Sequence, residues 1–245
     1  MFEDGSGSAA GRAEQIIACV ERTLTAPSAR IRFSREIGFG AAGLHRRRRQ
    51  GGLLRPVGKV AKQAVKAGWK RSTHGFSFNH MTAEGFIEPS ASRYAIDFGS
   101  YAELSSDGQL FRGRSGRALH TLEVWPERPS MPEPWWMLAA LRGTANAVPE
   151  GPEAVAGMQC ERYSIRVDLA RASAASPSGL YAPAAERFED LHALPFTVWH
   201  DDDHICRVSY AEVPGAALTL ELWDFGVSTE GLDWTRLPTF KSTDG

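Results

Sequence analysis

The chain has 245 residues, 42% of them hydrophobic and 10% aromatic, with a formal net charge of −1. It is long and apolar enough for a full core, in one large domain or two small ones, and it holds no apolar run long enough for a membrane-spanning helix. Its three cysteines, Cys19, Cys160 and Cys206, are odd in number and far apart, which excludes a disulfide framework or a CxxC metal knuckle and leaves buried reduced thiols as the expectation.

Residues 1–12 are Gly/Ser-rich at their start and are expected to be disordered. The stretch MFEDGSGSAAGRAEQ has neither a basic n-region nor an apolar h-region, so no secretory signal is read there and a cytoplasmic protein is expected. Ala13 to Leu24 places Ile16, Ile17, Val20 and Leu24 on one face against Glu14, Glu21 and Arg22, a helix that Pro27 ends. Ala29 to Ile37 alternates Ile31, Phe33 and Ile37 with Arg30, Arg32, Ser34 and Glu36, which predicts a strand, although Arg35 falls on the apolar face.

An insertion at 44–72 follows. It carries Arg46, Arg47, Arg48, Arg49, Arg55, Lys59, Lys62, Lys66, Lys70 and Arg71, and no acid occurs between Glu36 and Glu84. Setting those ten charges aside leaves 18 basic residues against 29 acidic ones, so an acidic body bears one basic segment. Val57, Val60, Ala61, Ala64, Val65, Gly68 and Trp69 form one stripe of a helix that starts after Pro56 and would be roughly 21 Å long. Three readings stand for it. It is a lid docking its Val/Trp stripe over the body, a surface helix meeting anionic membrane through Arg46–Arg49, Lys59, Lys62, Lys66, Trp69 and Lys70, or a phosphate-binding patch. No nucleic-acid motif accompanies the segment, so nucleic acid is the least favoured partner.

Gly75 to Glu88 and Ser92 to Phe98, the latter with Tyr94, Ile96 and Phe98 on one face, continue as strands on either side of a Pro89–Ser92 turn. Ala102 to Leu104 and Gln109 to Phe111 flank Ser106-Asp107-Gly108, a tight hairpin. Residues 125–134 hold four prolines and are irregular; Trp135 to Arg142 is a short helix, apolar nearly all round. Gly143 to Glu153 reads as loop. Met158 to Leu169 is a strand with Tyr163, Ile165, Val167 and Leu169 inward, and Leu169 to Ala175 a short helix. Ser176 to Pro183 is loop, and Ala184 to Leu194 reads as helix. Phe196 to His200 and Ile205 to Tyr210 pair around Asp201-Asp202-Asp203, Ala217 to Phe225 is a strand with Leu218, Leu220 and Leu222 on one face, and Leu232 to Phe240 closes the chain. The predicted boundaries are one domain over 13–240 and a tail at 241–245.

The order of these elements, with the stretches GMQCERYSIRVDLARA at 157–172, LPFTVWHDDDHICRVSY at 194–210 and TLELWDFGVSTEGLDWTRLPTF at 219–240, resembles the LolA/LppX-LprG type of lipoprotein-carrier half-barrel. The resemblance implies an α+β fold, a curved antiparallel sheet forming a half-open β-barrel around a few helices. It also implies an apolar cavity that holds acyl chains or a lipid anchor. Differences from the exported members are the absence of a lipidated signal sequence and the presence of the basic insertion.

Candidate chemistry narrows the function. His200-Asp-Asp-Asp-His204 offers metal-ligand types, but the acids stand at a hairpin tip where Asp is favoured by its own turn hydrogen bonds. His74 and His80 lack a third ligand. No GxSxG, HExxH, GxGxxG or phosphate-loop pattern occurs; Gly113-Arg-Ser-Gly has the wrong spacing. No metal, no cofactor and no enzyme is therefore expected. Phe98, Trp135, Trp136, Leu138, Leu141, Tyr163, Ile165 and Leu220 either fill an ordinary core or line a cavity for a hydrophobic small molecule or lipid. Binding of such a ligand, with peripheral membrane contact through 44–72, is the leading expectation. A protein-binding regulatory or sensor module is the alternative, and a hydrolase with a dispersed site the third.

Overall fold

In the computed structural model, which describes residues 8–37, 80–99, 101–106, 109–121, 134–175, 193–213 and 216–239, the first element is helix α1 (Ala9–Thr25). It starts ahead of the expected Ala13 because the Ser8 side chain accepts a hydrogen bond from the Gly11 N–H at 3.1 Å, capping the first turn. Its Ala13, Ile16, Cys19, Val20 and Thr23 are buried.

Ten strands follow: β1 (Ala29–Ile37), β2 (His80–Glu88), β3 (Arg93–Asp97), β4 (Ala102–Ser106), β5 (Gln109–Gly113), β6 (Thr144–Val155), β7 (Met158–Asp168), β8 (Ala193–His200), β9 (Ile205–Val213) and β10 (Ala216–Trp223). Two short helices, α2 (Pro134–Ala140) and α3 (Leu169–Ala175), lie before β6 and after β7. All strands join one open, curved antiparallel sheet in the order β5-β4-β3-β2-β1-β10-β9-β8-β7-β6. The fold is α+β, a half-open barrel. Strands neighbouring in sequence are neighbours in space except β5 and β6, which form the two edges, and at the centre the first strand, β1, lies between β2 and the last strand, β10.

The inner face of the sheet, together with α1, α2 and α3, forms the main core. The outer face alternates charged and aromatic residues, as the period of two requires. A smaller apolar cluster of Ala95, Ala102, Leu104 and Leu237 sits outside β3 and β4, joined by Trp234 and Leu119. The closing tail thus folds back over that face, fixed by an Ala118–Arg236 bridge and by the Leu237 N–H donating to the Arg117 carbonyl at 2.8 Å.

Most strands fall where alternation predicts them. The pairing Ser106 with Gln109 fits the expected two-residue hairpin. Residues 143–153, expected to be loop, instead form most of β6. Pro149, Gly151 and Pro152 concealed that strand. They are tolerated because β6 is the sheet edge, where an absent N–H leaves no neighbour unbonded, and because the register shifts at Thr144/Asn146 and Pro149/Gly151 absorb the irregular backbone. The expected helix Ala184–Leu194 lies outside the described residues except at its end, where Ala193 and Leu194 begin β8. Leu194 belongs to a strand because it pairs with Val167 and points into the core. The expected helix Trp135–Arg142 appears as α2 followed by a 3₁₀ turn, Leu141–Gly143. Gly143 permits a close approach of backbones there: a Cβ on it would lie 2.1 Å from the Asp168 carbonyl oxygen.

Candidate functional site

Cross-strand register decides what the inner face presents. Tyr163, Val198, Val208, Leu220, Phe33 and Ala83 are successive partners across β7, β8, β9, β10, β1 and β2. Ile165, Phe196, Tyr210 and Leu218 form a second row beside them. Every one of these side chains belongs to the main core. Leu138 and Leu141, from α2 and the turn after it, are fully buried against the same core. Of the residues expected to line a cavity, Leu138, Leu141, Tyr163, Ile165 and Leu220 are therefore brought together in one apolar body, with half-buried Phe98 packed at its margin. Trp135 and Trp136 lie on α2; their side chains are outside the description.

A third row changes character along its length. Leu222, Ile31, Gly85 and Ile96 continue into Glu103 and Arg112 on β4 and β5. The Arg112 Nε donates to Glu103 Oε1 at 2.7 Å, and Nη2 donates to the same oxygen. Burial pushes the Glu103 carboxyl above its ordinary value, an effect that the Arg112 charge and these hydrogen bonds oppose. The Arg112 guanidinium also stands 5.6 Å from the centre of the Tyr101 ring, which stacks on Phe98 at 4.5 Å. Burial, and then the Glu103 charge, raise the Tyr101 hydroxyl. The apolar inner face thus ends in a polar pole. Sequence reading passed over this pair, although a signal existed: a two-residue turn pairing Ser106 with Gln109 sets Glu103 opposite Arg112.

The His200–His204 loop is a turn, as its composition implies. Asp201 Oδ1 accepts from the Asp203 N–H at 2.8 Å and the His204 N–H at 2.5 Å. Arg22 of α1 clamps the loop through the Asp202 and Asp203 carbonyls at 2.7 and 2.8 Å. His200 stacks on Tyr163 with ring centres 5.2 Å apart, and His204 on Phe225 at 4.1 Å. Among the described residues no group of three or more His, Cys, Asp or Glu converges as a metal site. His74 lies outside the described residues, and His80 begins β2.

The basic residues 46–71 also lie outside the described residues. The strands on either side do not: Glu36 pairs with His80, so the insertion leaves and re-enters the sheet at neighbouring points. An open groove of about 360 Å³ occurs on the outer face, lined by Asn146, Val148, Ser164, Arg166, Pro195 and Thr197 among others. Its lining mixes apolar Val148 and Pro195 with polar Asn146, Ser164 and Thr197 and the long Arg166 side chain, and strands that carry the inner-row residues Ile165 and Phe196 also border it.

No family model and no curated protein matches the chain. Among solved structures it is similar to LprF from Mycobacterium bovis, at 12% identity and a TM-score of 0.49 over 94% of this chain and 100% of the other. It is also similar to the Mycobacterium tuberculosis lipoprotein LppX, at 12% identity and a TM-score of 0.43 over 90% and 98%. A third is an uncharacterized conserved protein from Thermus thermophilus, at 10% identity and a TM-score of 0.39 over 95% and 96%.

Proposed function

We propose that this protein is a carrier or binding protein for a hydrophobic or lipid-like molecule held against the inner face of the half-barrel, and that it performs no catalysis. The observation that carries this reading is the pair of apolar rows running from β7 across the sheet, with Tyr163, Ile165, Phe33 and Leu220 among them. Of the described helices, α1 packs most on β6, and its Ile16, Cys19 and Val20 share one core with these rows. An apolar surface bounded at one end by the Glu103–Arg112 pair suits a molecule with an apolar body and one polar end.

Native mass spectrometry of the purified chain, with organic extraction of the same sample, tests the reading. A co-purifying acyl-containing ligand is expected. A wild-type chain carrying nothing, and taking up no fluorescent fatty acid, would overturn it. Contact of residues 46–71 with anionic membrane is part of the proposal. Sedimentation with phosphatidylserine vesicles should depend on the insertion and weaken with salt. A protein-binding role is the second reading, supported by β6, a long edge strand whose Val148 is 52% exposed. Stoichiometric recovery of one partner, with no lipid bound, would favour it.

A further inference from the structure

Two of the three free cysteines lie together. Cys160 on β7 and Cys206 on β9 are 3% and 0% exposed. They share a small cluster on the outer face with Val155 and Trp199, and the half-buried Met158 packs against it. Each approaches a backbone carbonyl, Cys160 that of Met158 at 3.8 Å and Cys206 that of His204 at 3.6 Å. The cluster is separate from the inner rows and plays no part in ligand binding there.

We propose that Cys160 and Cys206, with the Met158 thioether beside them, form a binding site for a soft monovalent metal ion of the Cu(I) type. Two cysteines and a methionine gathered in one cluster on the outer face offer an all-sulfur ligand set for a two-coordinate d¹⁰ ion. Thiolate and thioether ligands select such an ion. A structural zinc site needs four ligands, and the neighbouring carboxylates are engaged elsewhere. Glu153 is held by Arg207 at 3.0 Å and Arg162 at 3.3 Å, and Asp201 by its own turn.

The charges balance without an oxidant: one Cu(I) enters, each thiol gives up its proton, and a dithiolate complex of charge −1 remains. Arg162 and Arg207, stacked on either side of Trp199 at 5.2 and 5.0 Å, place positive charge beside it. Met158, next to the β6–β7 turn, is the exposed side of the cluster.

Anaerobic titration of the reduced full chain with Cu(I) held by bathocuproine disulfonate tests the site. One equivalent should transfer to the protein with thiolate-to-copper absorption and release of two protons. Cys160→Ala and Cys206→Ala should each lose the transfer, Cys19→Ala should keep it, and Met158→Leu should keep it in weakened form. Thermal unfolding of each variant, run alongside, shows whether a loss comes from the ligand or from the fold. The proposal is overturned if the wild-type chain leaves the copper with the chelator. Transfer that survives in a folded Cys160→Ala, Cys206→Ala double variant overturns it too, as does tighter retention of Zn(II) than of Cu(I).

Discussion

Thr23, fully buried in the last turn of α1, satisfies two backbone groups at once. Its hydroxyl donates to the Cys19 carbonyl and accepts the Ile205 N–H, both at 2.8 Å, which ties the helix to the start of β9. Thr23→Val keeps the shape and leaves that N–H buried and unpaired, so a loss of about 1–3 kcal/mol is expected in urea unfolding, with Thr23→Ser close to wild type. Glu103 makes a different prediction. Its carboxyl is raised in the folded protein, so between the ordinary and the raised value the folded state binds more protons than the unfolded state. Stability contributed by this group therefore grows as pH falls toward the ordinary carboxylate range and is lost as pH rises through the raised folded value. Unfolding measured from pH 4.5 to 8 should show that dependence in the wild type and lack it in Glu103→Gln. At this scale legibility follows sequence distance. Glu103–Arg112 could be read from a hairpin register, whereas Thr23 and Ile205 meet only because helix and strand are packed together.

Elements were legible where one face is wet. β1 and β10 alternate Ile31 and Phe33 or Leu218, Leu220 and Leu222 with polar residues, and both appear near their expected positions. β6 was hidden because an edge strand may carry prolines that a central strand cannot. Gly85 shows the opposite constraint, since a Cβ there would lie 2.0 Å from the Ala95 carbonyl oxygen across the β2–β3 pair. Gly85→Ala must push those strands apart and should cost about 1–3 kcal/mol, read as a lowered midpoint in thermal unfolding. The insertion yields a further test. Because Glu36 and His80 pair at its two ends, a chain lacking 44–72 should keep the thermal midpoint of the full chain while losing vesicle binding. A large fall in the midpoint would instead make the insertion part of the core.

For the whole molecule, sequence order suggested a meander, and that is how β2 to β5 and β6 to β10 are arranged. One long row makes the sheet continuous on its outer face: Arg162, Trp199, Arg207, Glu221, Arg32, Glu84 and Asp97 are partners from β7 across to β3. Arg207 reaches Glu221 at 2.6 Å and Arg32 reaches Glu84 at 2.7 Å. The half-exposed Arg32–Glu84 pair adds little to stability, and the alternation of charge along the row disfavours slipped registers. Only the pairing reveals the row, because its members are scattered along the sequence from residue 32 to residue 207 and beyond.

The seam between β1 and β10 has a consequence for how the protein is made. Arg30 pairs with Trp223, so β1 waits for its partner until synthesis has passed through every other strand of the sheet. Until then β1 offers an unpaired edge, and closing so distant a contact is intrinsically slow. A chain stopped after residue 213 should accordingly collect in aggregates, or bind a chaperone, while the full chain released from the same ribosome does not; fractionation of stalled translation products would show the difference. The last strand acts as the clasp of the sheet, and the most exposed moment in the life of the protein falls just before that strand is complete.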